Sequence, residues 1–177
     1  MTPARIAPLD LSDRVTDAVA VMAAAFGLST RDSRERGVIF DRHAQRPGLV
    51  AYGAFDTGDR LTGFCYGFPG QDGGWWANQI EPHLAAAGHA DWLRDAFELT
   101  ELHVHPDHQR RGLGRTLITT VCGEATEPRV LLSAKAGETP ARHLYRTLGF
   151  VDLTGPFRFV GFDTPYRVMG ASLPLPG

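Results

Sequence analysis

Between Gln109 and Gly114 the chain reads Gln-Arg-Arg-Gly-Leu-Gly, set between an apolar, strand-like stretch ending at Val104 and a helical pattern that begins near Gly114. Glycines at 112 and 114 let the backbone approach a ligand closely, and amide N–H groups converge on an anion where a helix begins. Those residue types at that spacing favour phosphate binding. No Gly-Lys-Ser/Thr follows and the three-glycine dinucleotide fingerprint is absent, so neither familiar nucleotide loop is present. A tight strand-to-helix turn that needs its glycines only for geometry is the competing reading. Arg110 and Arg111 are placed either to meet phosphates or to stand in solvent, because backbone amides can supply most of the contacts.

The strand Phe97–Val104 carries two further candidates, Glu98 and Glu101. Glu98 lies six residues before Val104. Glu101 lies three before it, an odd spacing that puts it on the opposite strand face unless a bulge intervenes. A central-strand glutamate is costly to bury unpaired, so a salt bridge to an arginine is the structural alternative for each. His103, His105 and His108 invite a metal reading, but they flank a proline turn and only Asp107 offers a nearby acidic ligand, so no metal is expected. His105 and His108 read as rim residues, and His103 as a candidate contact for a ligand. Trp75 and Trp76 are adjacent and must face different directions, one toward a core and one outward. Phe26, Leu28, Tyr52, Tyr66 and Phe68 suit a pocket wall or a core.

The elements that position these residues follow from spacing. Val15, Val19, Met22 and Phe26 paint one helix face, with Ser12 as N-cap and a stop at Gly27. A polar helix is expected over about 31–45, ending before Pro47. Residues 49–55 and 61–68 flank Asp56-Thr57-Gly58-Asp59 as an antiparallel hairpin. Residues 69–95 form a Gly-rich segment with a helix to about Ala87 and a short second helical piece. The strand 97–104 breaks at Pro106. A helix over 115–125 is followed by a short buried strand at 130–133. Thr139-Pro140 opens a helix bearing Leu144, Tyr145 and Leu148 and ending at Gly149. The tail, 150–162 and 166–173, reads as two more strands.

The 177 residues suit a single domain, 1–177, with no repeat or linker dividing it. Hydrophobic residues are 43% and charged residues 21% of the chain, near globular averages, which excludes disorder, collagen and coiled coil. Eighteen Lys and Arg against 20 Asp and Glu leave a net charge of -2, without the positive field that non-specific nucleic-acid binding requires. Two cysteines, Cys65 and Cys122, build no disulfide framework, so a reducing cytoplasm is expected. The N-terminus lacks a signal-like apolar region and no stretch approaches a membrane span, so no membrane association is expected.

Val104-His105-Pro106-Asp107-His108-Gln109-Arg110-Arg111-Gly112-Leu113-Gly114-Arg115 resembles the Val-x-Pro-x-x-Gln/Arg-x-x-Gly-x-Gly/Ala signature of the GCN5-related N-acetyltransferases, the GNAT family. Thr139-Pro140-Ala141-Arg142-His143-Leu144-Tyr145-Arg146-Thr147-Leu148-Gly149-Phe150 is similar to that family's second signature, Ala-x-x-Leu-Tyr-x-x-x-Gly-Phe, in the family's order and spacing. The resemblance implies an α/β (α+β) GNAT-like fold: a central mixed, mostly antiparallel sheet of six to seven strands flanked by about four helices, with an insertion at about 69–95.

It further implies that Gln109, Arg110, Arg111, Gly112, Leu113, Gly114 and Arg115 hold the pyrophosphate of acetyl-CoA, used as co-substrate. The backbone of Val104, at a splayed strand end, would bind the pantetheine arm and steady the oxyanion. Tyr145 would assist departure of the thiolate, and Glu98, matching the general base of the histone-acetyltransferase branch, or its rival Glu101 would deprotonate the amine. The expected activity is direct acetyl transfer to a primary amine of a small molecule, protein or peptide, with room for a homodimer. The alternatives are an acyl-CoA-binding or sensing protein without efficient turnover, and an acyltransferase using another acyl-CoA or a hydroxyl acceptor.

Overall fold

The computed structural model of the chain describes residues 4–71 and 73–176. Of the N-terminal stretch and the 69–95 insertion read above, residues 1–3 and Asp72 lie outside the described residues. Seven strands in the order β1-β2-β3-β4-β5-β7-β6 make a mixed sheet, and five α-helices flank it. The strands are β1 Arg5–Pro8, β2 Val50–Phe55, β3 Leu61–Pro69, β4 Ala96–Val104, β5 Arg129–Lys135, β6 Val151–Asp152 and β7 Tyr166–Ser172. The helices are α1 Val15–Phe26, α2 Thr30–Ala44, α3 Trp75–Ala86, α4 Leu113–Glu124 and α5 Pro140–Thr147. The pair β4·β5 is parallel, whereas β1·β2, β2·β3, β5·β7 and β6·β7 are antiparallel.

The chain divides into two compact units. One runs to Phe68 and resumes over Glu101–Glu124; the other comprises Pro69–Thr100 and the chain from Ala125 onward. In the first, β3 explains the packing by its alternation. Phe64, Tyr66 and Phe68 share a face and join Ala18, Val21, Met22 and Phe40 of α1 and α2 in one buried cluster. Gly63 is on the other face, where an added Cβ would lie 3.1 Å from the His103 carbonyl oxygen and 3.4 Å from Leu117 of α4. A glycine there lets the end of β4 and helix α4 sit directly against β3.

Two sequence readings are corrected in this unit. The N-cap of α1 is Arg14, which gives no side-chain cap; Ser12 instead accepts a bond from Gln45 Nε2 at 3.4 Å, because the chain turns over residues 11–14 before the helix begins. Phe26, expected on the buried face of α1, is 51% exposed at the last turn. Helix α2 begins where a cap exists, with Ser29 Oγ accepting from the Asp32 amide at 3.1 Å.

The second unit has its own core of Ile80, Leu84, Ala96, Leu131, Leu153, Phe157, Phe159 and Val168, with Trp76, Trp92, Leu93 and Tyr166 packed against it. The segment 69–95 supplies α3 and a short 3-10 turn at Ala90–Leu93, as its composition predicts. The adjacent tryptophans separate as expected: Trp76 donates its indole N–H to Ser133 Oγ at 2.8 Å, and Trp75 is 58% exposed, stacked on Phe159. The tail departs from expectation. Of 150–162 only Val151–Asp152 forms a strand, followed by a lone bridge of Phe157 to Tyr166, because Phe157 and Phe159 turn in to fill the core and cannot keep a regular ladder.

Candidate active site

The segment that follows β4 is built by local hydrogen bonds. Pro106–His108 forms a 3-10 turn in which His105 Nδ1 accepts from the Asp107 amide at 3.3 Å and the Gln109 amide donates to the Pro106 carbonyl at 3.2 Å. Gln109 Nε2 donates to the Val104 carbonyl at 2.9 Å, tying the loop to the strand end and leaving that oxygen's second lone pair for another donor. The loop then takes left-handed conformations at Arg110 (φ 58°) and Gly112 (φ 80°). Only the second has glycine, although a Cβ there would meet nothing within 4 Å; its requirement is conformational.

Helix α4 starts at Leu113, and the Thr116 amide closes the first i to i−4 bond on the Gly112 carbonyl at 3.0 Å. The amides of Leu113, Gly114 and Arg115 precede that ladder and carry the positive end of the helix dipole. Gln109, Arg110, Arg111, Gly112 and Arg115 are exposed, and Leu113 and Gly114 half-buried. A concave turn with left-handed residues opening a helix N-terminus fits a pyrophosphate.

The two candidate carboxylates have distinct surroundings. Glu101, its side chain 12% exposed, lies in the first unit, with Oε2 against His103 Nε2 and Oε1 3.7 Å from Arg36 Nη1. His103 is buried, with the Phe26 ring edge-on at 5.1 Å and Phe64 at 5.3 Å. The sequence reading of His103 as a ligand contact missed this inward role, although its two-residue spacing from Glu101 put both on one face. Behind it, His43 Nδ1 lies 2.9 Å from the Tyr66 hydroxyl. Burial lowers the His43 imidazole below its ordinary range, with Glu101 opposing that shift and Arg46 and Arg36 adding to it.

Glu98 lies in the second unit, half-buried and in register with Leu131 of β5. It forms part of the wall of a cavity of about 230 Å³ roofed by α3. Asn78, Glu81 and Arg94 also line this cavity, and none was singled out by the sequence reading, since an irregular Gly-rich insertion gives no periodicity that aims them.

Tyr145, also in the second unit, is buried, its ring 5.7 Å from Phe150. Its helix is fixed by Thr139 Oγ1, which accepts from the Arg142 amide at 3.2 Å, and by Arg142, 2% exposed, which donates to Asp152 at 2.6 Å and to the Ala136 carbonyl at 2.8 Å. Burial pushes the Cys122 thiol up to about 12 and Cys65 well above its usual range, so neither offers a thiolate nucleophile. Among the described residues no group of three or more His, Cys, Asp or Glu could hold a metal ion, and no helix is long and apolar enough to cross a membrane.

Residues 21–150 match the Acetyltransferase (GNAT) family profile, and the chain belongs to that family. It is 29% identical over 197 residues to a GCN5-like protein acetyltransferase of Mycobacterium tuberculosis, covering 95% of this chain and 96% of that protein. It is 32% identical over 103 residues to a [ribosomal protein bS18]-alanine N-acetyltransferase of Salmonella typhimurium, covering 51% and 70%. Among solved structures it is similar to the PaiA N-acetyltransferase of Thermoplasma acidophilum in complex with coenzyme A, with a TM-score of 0.64 at 13% identity over 97% of this chain and 99% of that one.

Proposed function

We propose that the protein transfers an acetyl group directly from acetyl-CoA to a primary amine. The observation that carries this reading is the loop after β4, whose left-handed turn at Gly112 opens the N-terminus of α4 and suits a pyrophosphate. The naming of the M. tuberculosis relative as a protein acetyltransferase and of the S. typhimurium relative as an alanine N-acetyltransferase, and the coenzyme A held by the T. acidophilum neighbour, support the donor and the amine acceptor. Two buried free cysteines suit a reducing cytoplasm.

The roles follow the chemistry. The amides of Gln109 to Arg115, with Arg110 and Arg111 beside them, bind the pyrophosphate, and the backbone of Val104 binds the pantetheine arm. An ammonium with a pKa near 10.4 must lose a proton before it attacks. Glu98 takes that proton; its place on the wall of the cavity under α3 favours it over Glu101. The amine nitrogen bonds to the thioester carbonyl carbon, the carbon–sulfur bond breaks and Tyr145 gives its hydroxyl proton to the departing thiolate; the second proton, shed by the nitrogen as it becomes an amide, returns to Tyr145 through solvent, and Glu98 releases its own proton to bulk water. The products are an N-acetylamine and coenzyme A. With both thiols buried, transfer proceeds without an acyl-enzyme on cysteine.

Calorimetry with acetyl-CoA tests the cradle. Valine at position 112 is strained at a φ of 80°, so Gly112→Val should remove the turn and weaken binding by at least about tenfold, with the fold retained by circular dichroism. Undiminished affinity in a folded Gly112→Val protein would contradict the assignment.

A further inference from the structure

We propose that the 230 Å³ cavity under α3 is the acceptor subsite, and that it selects a small cationic primary amine with an apolar body over an amino acid carrying the same side group. This assignment rests on the N-acetyltransferase reading above. The walls come from the loop after β3, α3, the 3-10 turn that follows it, the start of β4 and Leu131 of β5. Their apolar part includes Trp76, Ala77, Ala90, Leu93, Phe97 and Leu131. The indole of Trp76 is held in place by its bond to Ser133, so its face is a fixed surface for an aryl or alkyl body and for a cation beside it.

Among the described residues the ionisable groups of the lining are two carboxylates, Glu81 and Glu98, against one guanidinium, Arg94. An ammonium entering this cavity meets an excess of negative charge, and Glu98, half-buried on the strand, both holds the ammonium and receives its proton. A carboxylate on the same ligand has one cation among the described lining residues, Arg94, and two carboxylates to repel it. The volume is below that of most drug-sized sites and accommodates a ligand of about one amino-acid side chain in size. The insertion that departs from the family's usual connection thus becomes the element that sets acceptor choice.

The test is titration of 2-phenylethylamine and of L-phenylalanine into the full chain by calorimetry, alongside thiol release from acetyl-CoA with each amine. Ala77→Leu fills the cavity from α3 while leaving the Trp76–Ser133 bond in place; Glu98→Gln removes the charge with little change of shape. We expect 2-phenylethylamine to bind at least about tenfold more tightly than L-phenylalanine, and each variant to weaken it by about tenfold or more. Equal or tighter binding of L-phenylalanine overturns the charge selection. Turnover of amines with Kd and KM untouched by Ala77→Leu overturns the cavity assignment and leaves the transferase reading standing. Amine binding that depends on Ala77 and Glu98, in a chain that releases no thiol, upholds the cavity as an amine site and overturns the transferase reading instead.

Discussion

Tyr145 and Glu101 show how little a residue's type says before its surroundings are known. A tyrosine on a helix ordinarily leaves its hydroxyl at the surface, yet Tyr145 is buried with its ring against Phe150. Tyr145→Phe removes one hydroxyl and keeps the ring, so it should lower kcat while the melting temperature and acetyl-CoA affinity stay as in the wild type. An unchanged kcat would make the residue a packing group. Glu101, by contrast, is bound to His103 and approached by Arg36, so its carboxylate is committed to the interior of its unit. At position 112 the side chain matters through the backbone alone, since a φ of 80° and open space around the missing Cβ leave conformation as the only constraint.

At the scale of elements, two contacts lend themselves to measurement. Burial lowers His43, so the unfolded chain binds a proton there more readily than the folded one does. The histidine is neutral in both states well above the ordinary value of about 6.5, and folding is penalised as pH falls through that value toward the lower folded one. His43→Gln removes this penalty. The melting temperature of the wild type should therefore fall faster than that of His43→Gln between pH 7.5 and 5.5; parallel curves would contradict the buried neutral histidine. Arg142 joins α5 to Asp152 and to the carbonyls of Ala136 and Gly137. Arg142→Met takes the donor from the two carbonyls and leaves Asp152 only its longer contacts to Arg146 and Arg167, so the chain should lose about 1–3 kcal/mol in denaturant melts.

These same elements show what the sequence makes legible. Thr139-Pro140 marks the start of α5 because a cap and a first-turn proline act locally, and Gly27 marks the end of α1 for the same reason. The hairpin β2–β3 is readable because Asp56 caps its own turn through bonds to the Gly58 and Arg60 amides. Ser12 misleads because the start of α1 is settled by the turn at Leu11–Arg14 rather than by cap preference. The stretch 150–162 misleads because alternating aromatics suit a strand and a core-filling loop equally, and tertiary packing chooses the loop. Glu98 stands out through the family resemblance and the loop 109–115 through its glycines; Asn78, Glu81 and Arg94 meet only once the segment 69–95 has folded.

For the molecule as a whole, seven strands and five helices of the acetyltransferase family carry a glycine turn suited to phosphate and a carboxylate on the wall of a small cavity. These residues are proposed to perform acetyl transfer to an amine with Glu98 as the base. The most direct test is kcat/KM for thiol release from acetyl-CoA with 2-phenylethylamine, measured from pH 6 to pH 9 for the wild type, Glu98→Gln and Glu101→Gln. General-base assistance is worth about 10²–10⁴-fold, so Glu98→Gln should lose activity on that order and lose the acidic limb of the profile, while Glu101→Gln keeps the limb. A normal profile in Glu98→Gln together with a flattened one in Glu101→Gln would contradict the account.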